Sequence, residues 1–434
     1  MNGERDFAWN SIPAEPDRFD ARQTRRAILA ATIGNGLEFY DFVTFAFFAI
    51  PIGKTFFPSS SAYLSLMASL ATFGAGFITR PLGAHVLGGY ADRAGRRPAM
   101  MISMMLMGLG IVLLAITPGY AGIGFAAPLI AVTARLIQGF ALGGEVGSAS
   151  AYMLEASAPA RRGRSISWQG VSQEIASAIG GIVGLVLSAV MSQAQLGAFG
   201  WRIALLLGAS IVPVALIMRN ALPETHSPAT ATTPGVVPFR GYARVIALGF
   251  VIIATGTITG YIARYMATYG QASLHLSSTV AFAGQTANAG ISIVMALFGG
   301  WLCDRVGRRP AMIWPQLAHL IGIIPCFVWV TTARSATAFI GANVILAALG
   351  SSQYTAVYAS VTESLPPAVR ARAFALVYSV PVAVFGGTTQ LVATWLLHVT
   401  NNPMSIAWYL TAIAAIQLAT MLAVRESAPI KLGV

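Results

Sequence analysis

Charge and cysteine are what this chain has least of. Only 10% of its 434 residues are Asp, Glu, Lys or Arg, and 15 acids stand against 27 bases. So few charges cannot coat the two or three soluble domains that this length would otherwise hold. The only two cysteines, Cys303 and Cys326, fall in or beside apolar stretches. That excludes a disulfide framework and a cysteine-based metal site. Five histidines show no metal-ligand spacing. No nucleophile–base pair or soluble catalytic stretch is visible, so an enzyme is not expected. A sensor with a large extramembrane output domain is equally disfavoured, because the longest polar loop spans only 220–241.

What is abundant is apolar sequence: 56% hydrophobic residues with a mean hydropathy of +0.69. Apolar segments near 27–50, 61–90, 98–117, 123–154, 164–192 and 201–219 predict six helices. Six more follow near 243–270, 276–302, 310–331, 336–364, 370–398 and 404–424. Most reach the roughly 20 residues needed to cross hydrocarbon. The expected fold is an all-α integral membrane protein of twelve transmembrane helices in two six-helix bundles. Residues 1–26 read as a tail, 27–219 as the first bundle, 220–242 as a Pro/Thr-rich linker, 243–424 as the second bundle and 425–434 as a second tail. The N-terminal stretch mixes acids, bases and prolines without an apolar core, so it does not read as a cleaved signal peptide.

The excess of positive charge sits in short clusters between apolar spans. Twenty-one Lys and Arg lie on one side of the predicted helices, and only Lys54, Arg202 and Arg334 on the other. By the positive-inside rule both termini are cytoplasmic, and the clusters are no nucleic-acid face. The expected surroundings are a bacterial-type inner membrane.

One motif occurs twice. GGYADRAGRRPAM at 88–100 returns as GWLCDRVGRRPAM at 300–312, with nine of thirteen positions identical at an offset of 212. Each copy joins the second and third helices of its half, as in an internal duplication. Gly88, Gly95, Gly300 and Gly307 suit tight turns or close packing. Asp92 and Asp304 can cap a neighbouring helix N-terminus, where the dipole favours an anion. A second repeat, at an offset of 208, matches Glu155, Pro159, Arg162 and Arg164 with Glu363, Pro367, Arg370 and Arg372. Its acids are expected partners for Arg96, Arg97, Arg308 and Arg309. Arg93, Arg96, Arg164, Arg305, Arg308 and Arg372, with Asp92, Asp304, Glu155 and Glu363, therefore read as gating residues. Topology alone would explain the charges, but not the same spacing twice.

The doubled G-x-x-x-D-R-x-G-R-R loop within twelve helices resembles the major facilitator superfamily over the whole chain. GNGLEFYDF (34–42), ITRPLGAHVLG (78–88), RLIQGFALGGEVG (135–147) and EASAPARRG (155–163) narrow the resemblance to the metabolite:proton symporter family. That family's members carry citrate, α-ketoglutarate, shikimate, or proline and betaine. KTFFPSS (54–60), PGYAGIG (118–124) and ATYG (267–270) are most similar to the citrate and tricarballylate carriers. The chain ends about ten residues after the last helix, without the coiled-coil tail of osmosensing betaine carriers. Arg264 departs from the citrate carriers, where an apolar or hydroxyl residue is expected. The resemblance implies import of an anionic carboxylate by proton symport, with protons as coupling ion and no cofactor. It also implies a functional monomer in the lipid bilayer.

Charges inside apolar spans are costly and usually functional. Glu38 and Asp41 share a face of the first helix and form a candidate proton-loading pair, with Glu145 as a further relay. A structural role for these acids, bonded to arginines of neighbouring helices, stays open. Arg80 and Arg135 are candidate carboxylate anchors, because a guanidinium fork binds a carboxylate bidentately. Arg80 could instead serve the hinge before Pro81. Gln138 shares the face of Arg135, and Gln169 and Gln173 share a face of helix five beside Glu174. In helix seven Tyr261, Arg264 and Tyr265 lie together as a second carboxylate site, or Arg264 snorkels outward. Gln285 and Asn288 share a face of helix eight, and Tyr354 and Tyr358 one of helix ten. The acids and arginines also suit a zwitterion or monocarboxylate.

Overall fold

The computed structural model describes the backbone at residues 36, 39–94, 96–143, 162–220, 243–364, 377–428 and 431. It describes the side chains there except at 91–93, 96, 97, 100, 210–212 and 214–220. Twelve helical spans run through these residues. The first half holds α1 (39–56), α2 (Ala62–Tyr90), α3 (Arg96–Ile116), α4 (Ala126–Leu142), α5 (Arg162–Val190) and α6 (Trp201–Asn220). The second holds α7 (Ala243–Ala272), α8 (Ser278–Val306), α9 (Arg308–Ala333), α10 (Ala336–Glu363), α11 (Val377–Thr400) and α12 (Ser405–Ala423). Eight of these spans are long and apolar enough to cross a membrane, and Met101–Ile116 and Ala126–Leu142 are shorter apolar helices.

Local chemistry explains where the spans start, stop and bend. Ser277 and Ser335 cap α8 and α10, their hydroxyls accepting from the backbone N–H of Val280 and Ala338. The turn between α8 and α9 needs Gly307, whose φ of 103° penalises any side chain. Helix α2 bends at Thr79, where Pro81 removes a backbone donor and the Thr79 hydroxyl donates to Leu136 O at 2.7 Å. Helix α11 carries a π-turn over Val382–Gly386, directly after Pro381. A short helix at Tyr120–Ile123 falls ahead of the predicted segment that starts near 123, and a capped turn at Gln193–Gln195 lies between two predicted segments. Both lie in loops, where apolar periodicity gives no signal.

The two halves meet along two antiparallel helix pairs, α5 with α8 and α2 with α11. The duplication makes these pairs equivalent. Small residues let the backbones approach. A Cβ at Gly74 would meet Gly387 O at 2.6 Å, and one at Gly181 would meet the Thr286 side chain at 2.6 Å. At the end away from the repeated motif, Tyr63 stacks on His398 with ring centres 3.8 Å apart. Phe48 of α1 packs on Phe282 of α8 at the same interface, at 5.0 Å.

Candidate functional site: a polar cavity between the halves

Helices α7, α8 and α10 of the second half and α5 of the first enclose a central cavity. Gly256 and Gly260 thin the wall on α7 beside Arg264. Arg264 and Glu174 form an ion pair across the cavity, Nη2 to Oε1 at 3.3 Å. Arg264 is 11% exposed and Glu174 23%, so both face the open space. The Nη1 of Arg264 donates to Gly260 O of its own helix at 3.0 Å, while its buried Nε has no partner among the described residues. Its guanidinium lies 5.7 Å from the Phe39 ring and 5.9 Å from that of Tyr261. Gln173, Tyr261 and Asn288 line the same cavity, as do Tyr354, Tyr358 and Tyr378. The helix-seven cluster thus divides: Tyr265 turns into the core and bonds Thr394, hydroxyl to hydroxyl, at 2.9 Å.

Asp41 and Arg135 occupy a second, enclosed site. Arg135 Nη1 donates to Asp41 Oδ2 at 3.0 Å and also to Gln138 Oε1. The two charged side chains are 2% and 1% exposed. Phe45 lies under the guanidinium at 4.4 Å, with Phe42 and Phe73 beside it. Arg80 stacks on Phe77 at 4.0 Å. The rings of Phe42, Phe73, Phe77 and Tyr261 pack together. They form an aromatic layer between this pair and the Arg264 site. Arg80, Arg135, Gln138 and Gln169 accordingly do not line the cavity, and Gln169 is buried in α5.

At the motif end Asp304, Arg308 and Glu363 of the second half come together. Arg308 grips Glu363 bidentately, Nε to Oε2 at 3.0 Å and Nη2 to Oε1 at 2.8 Å. Its Nη1 reaches Cys303 O and Asp304 Oδ1. Asp304 also accepts from the backbone N–H of Gly163 and Arg164 at 2.8 and 3.0 Å. A carboxylate of the second half therefore caps the N-terminus of α5 in the first half. Gly300 packs against Gly163, with space for no Cβ on either. Glu426 caps α9 through the N–H groups of Arg308 and Arg309. Arg305 lies over Trp301 at 5.4 Å. A Cβ at Gly88 would meet nothing within 4 Å, so close packing is not its role. Glu38, Gly95, Glu145, Glu155 and Arg372 lie outside the described residues, as do the side chains of Asp92, Arg93 and Arg96.

The sequence reading did not select Gln417 or His319, which also line the cavity. Gln417 is fully buried, and neither end of its amide has a partner among the described residues. A lone amide in the middle of the apolar α12 was the available signal.

A family model described as "Major Facilitator Superfamily" matches residues 31–380 and again 272–432. The chain belongs to the major facilitator superfamily. It is 37% identical over 417 residues to the citrate-proton symporter of Salmonella typhi, covering 92% of this chain and 94% of that one. It is 32% identical over 404 residues to the alpha-ketoglutarate permease of Escherichia coli, covering 92% and 93%. Among solved structures, the xylose transporter XylE from E. coli in a partially occluded inward-open conformation superposes with a TM-score of 0.76. That match is 16% identical and covers 94% of this chain and 99% of that one, a likeness of fold alone. This facilitator is a multi-pass membrane transporter.

Proposed function

We propose that this chain imports a di- or tricarboxylate, citrate or tricarballylate, by proton symport through alternating access. The observation that carries this reading is Arg264, a cation in a cavity bounded by both halves with part of its donor fork unfilled. Gln173, Tyr261 and Asn288 supply neutral donors around it, as carboxylate and hydroxyl groups require. The similarity to citrate-proton symporters supports the same substrate class. A keto dicarboxylate is the second reading, favoured by the similarity to the α-ketoglutarate permease.

Asp41, with Glu38 and Glu145, is read as the proton-coupling set. Arg135 and Gln138 hold Asp41 in place, and Arg80 and the aromatic layer separate it from substrate. Asp304, Arg308, Glu363 and the matching residues of the first copy form a cytoplasmic latch that breaks on inward opening. Both termini face the cytoplasm at the inner membrane, and the protein works as a monomer without a cofactor. An anion that travels with enough protons is not expelled by an inside-negative potential, which is worth about 2.3 kcal/mol per charge per 100 mV.

Competition with labelled tricarballylate in proteoliposomes tests the substrate reading. Citrate and tricarballylate should compete best, and Arg264→Ala should weaken both by about 30-fold or more, the cost of truncating one partner of a desolvated charge pair. Competition by betaine or shikimate with none by these carboxylates would discard it.

A further inference from the structure

Two arginines in this protein hold acids in opposite ways. The fork of Arg308 is filled: Glu363 takes Nε and Nη2, and Cys303 O and Asp304 take Nη1. Arg264 meets Glu174 through one long contact of 3.3 Å, and its buried Nε has no partner among the described residues. The first arrangement is a finished structural pair, whereas the second leaves the guanidinium incompletely paired beside the open cavity. Position differs as well. Among the described residues, Asp41–Arg135 lies within the first half and Asp304–Arg308–Glu363 within the second. Glu174–Arg264 is the ion pair that joins the halves, from α5 to α7.

We propose that Glu174 is a resident stand-in for the substrate carboxylate: an arriving carboxylate takes Arg264 from it, and the released Glu174 takes up a proton. The proposal rests on the carboxylate reading above. The exchange balances. For the one substrate carboxylate that takes Arg264, that carboxylate, the Arg264–Glu174 pair and one proton become an Arg264–carboxylate pair and neutral Glu174. This exchange adds no net charge beyond that of the substrate's remaining carboxylates. The proton is needed because one guanidinium cannot neutralise two carboxylates in a low-dielectric site. Among the described residues, the groups that line the cavity with Glu174 give no second cation. Arg264 and Tyr261 face it from α7, Tyr354 and Tyr358 from α10, Tyr378 from α11, and Phe39 from α1. Helix α8 contributes Gln285 and Asn288, and His319 of α9 lines the far wall. Breaking this pair removes the one ion pair between the halves among the described residues, leaving the Asp304 cap on α5 as the charged contact between them. Glu174 is thus a coupling acid distinct from Asp41.

The experiment counts protons taken up when tricarballylate binds the purified full-length protein, in weak buffer at a pH where the ligand is fully ionised. Wild type should take up one proton per ligand at Glu174, and Glu174→Gln one fewer. Above the pH at which the ligand is fully ionised, the wild-type Kd should weaken with rising pH by up to about tenfold per pH unit, and that of Glu174→Gln should stay flat. Should the variant fail to fold, infrared difference spectra of wild type serve instead. A protonated carboxyl band should appear on adding tricarballylate, and it should persist in Asp41→Asn. Equal proton counts in wild type and Glu174→Gln, with binding intact, would overturn the inference and leave the carboxylate reading standing. Absence of any carboxylate binding by wild type would overturn both.

Discussion

Asp41 is 1% exposed and meets the guanidinium of Arg135 at 3.0 Å over a floor of phenylalanines. Removing its side chain would leave a buried, uncompensated arginine, at a cost of about 3–5 kcal/mol, so Asp41→Ala reports on folding. Asp41→Asn keeps the side-chain volume and a hydrogen-bond acceptor for Arg135, and removes the titratable proton together with the negative charge. The expected outcome is loss of accumulation against a gradient, with exchange of labelled for unlabelled substrate retained. Undiminished accumulation would place the coupled proton elsewhere. At this scale the sequence was legible only in part. An acid and a base buried in apolar spans announce themselves by their cost, which is why Asp41, Arg135 and Arg264 stood out. Which acid pairs with which arginine did not. Arg264 has no counterpart in the first half, where the offset of 212 lands on Ile52, and Glu174 lies 90 residues away in the other half. Nor does helical spacing tell a cavity-facing arginine from one enclosed behind Phe42, Phe45 and Phe73.

Among the helices, the informative contact is α5 against α8. Two glycines, Gly163 and Gly300, bring their motif ends together, and Asp304 caps α5 from the opposite half. Loss of a capping carboxylate costs about 0.5–2 kcal/mol, or roughly 2- to 30-fold in an opening equilibrium. Cys303 is fully buried beside this contact and serves as a native reporter. In a Cys326→Ser background, Asp304→Ala should speed alkylation of Cys303 by that factor, as followed by mass spectrometry. An unchanged rate would remove Asp304 from the latch. The latch was the most legible part of the site, because the duplication printed its residues twice. Repeat spacing offered Glu363 as a candidate partner for the motif arginines, Arg308 among them, and Asp304 as a candidate helix cap. It could not say that the capped helix was α5 across the interface, since that depends on how the halves dock.

For the whole molecule, composition and the offset of 212 already implied two six-helix bundles, and hydropathy located their spans. Docking of the halves creates what the sequence could not contain: a cavity bounded mostly by the second half, with one acid from the first. On the proposed function, that geometry gives carboxylate recognition to Arg264 and keeps the Asp41–Arg135 pair behind an aromatic layer. The proposed substrate site is thereby separated from one of the proposed coupling acids, while a single interface would join both to the movement of the halves. The most direct test is uptake of radiolabelled citrate and tricarballylate into proteoliposomes with an acid-outside pH gradient, imposed and then collapsed by an uncoupler. The account predicts accumulation that depends on the gradient and vanishes with it. Uptake indifferent to the gradient, or a gradient that drives betaine or shikimate but neither carboxylate, would contradict it.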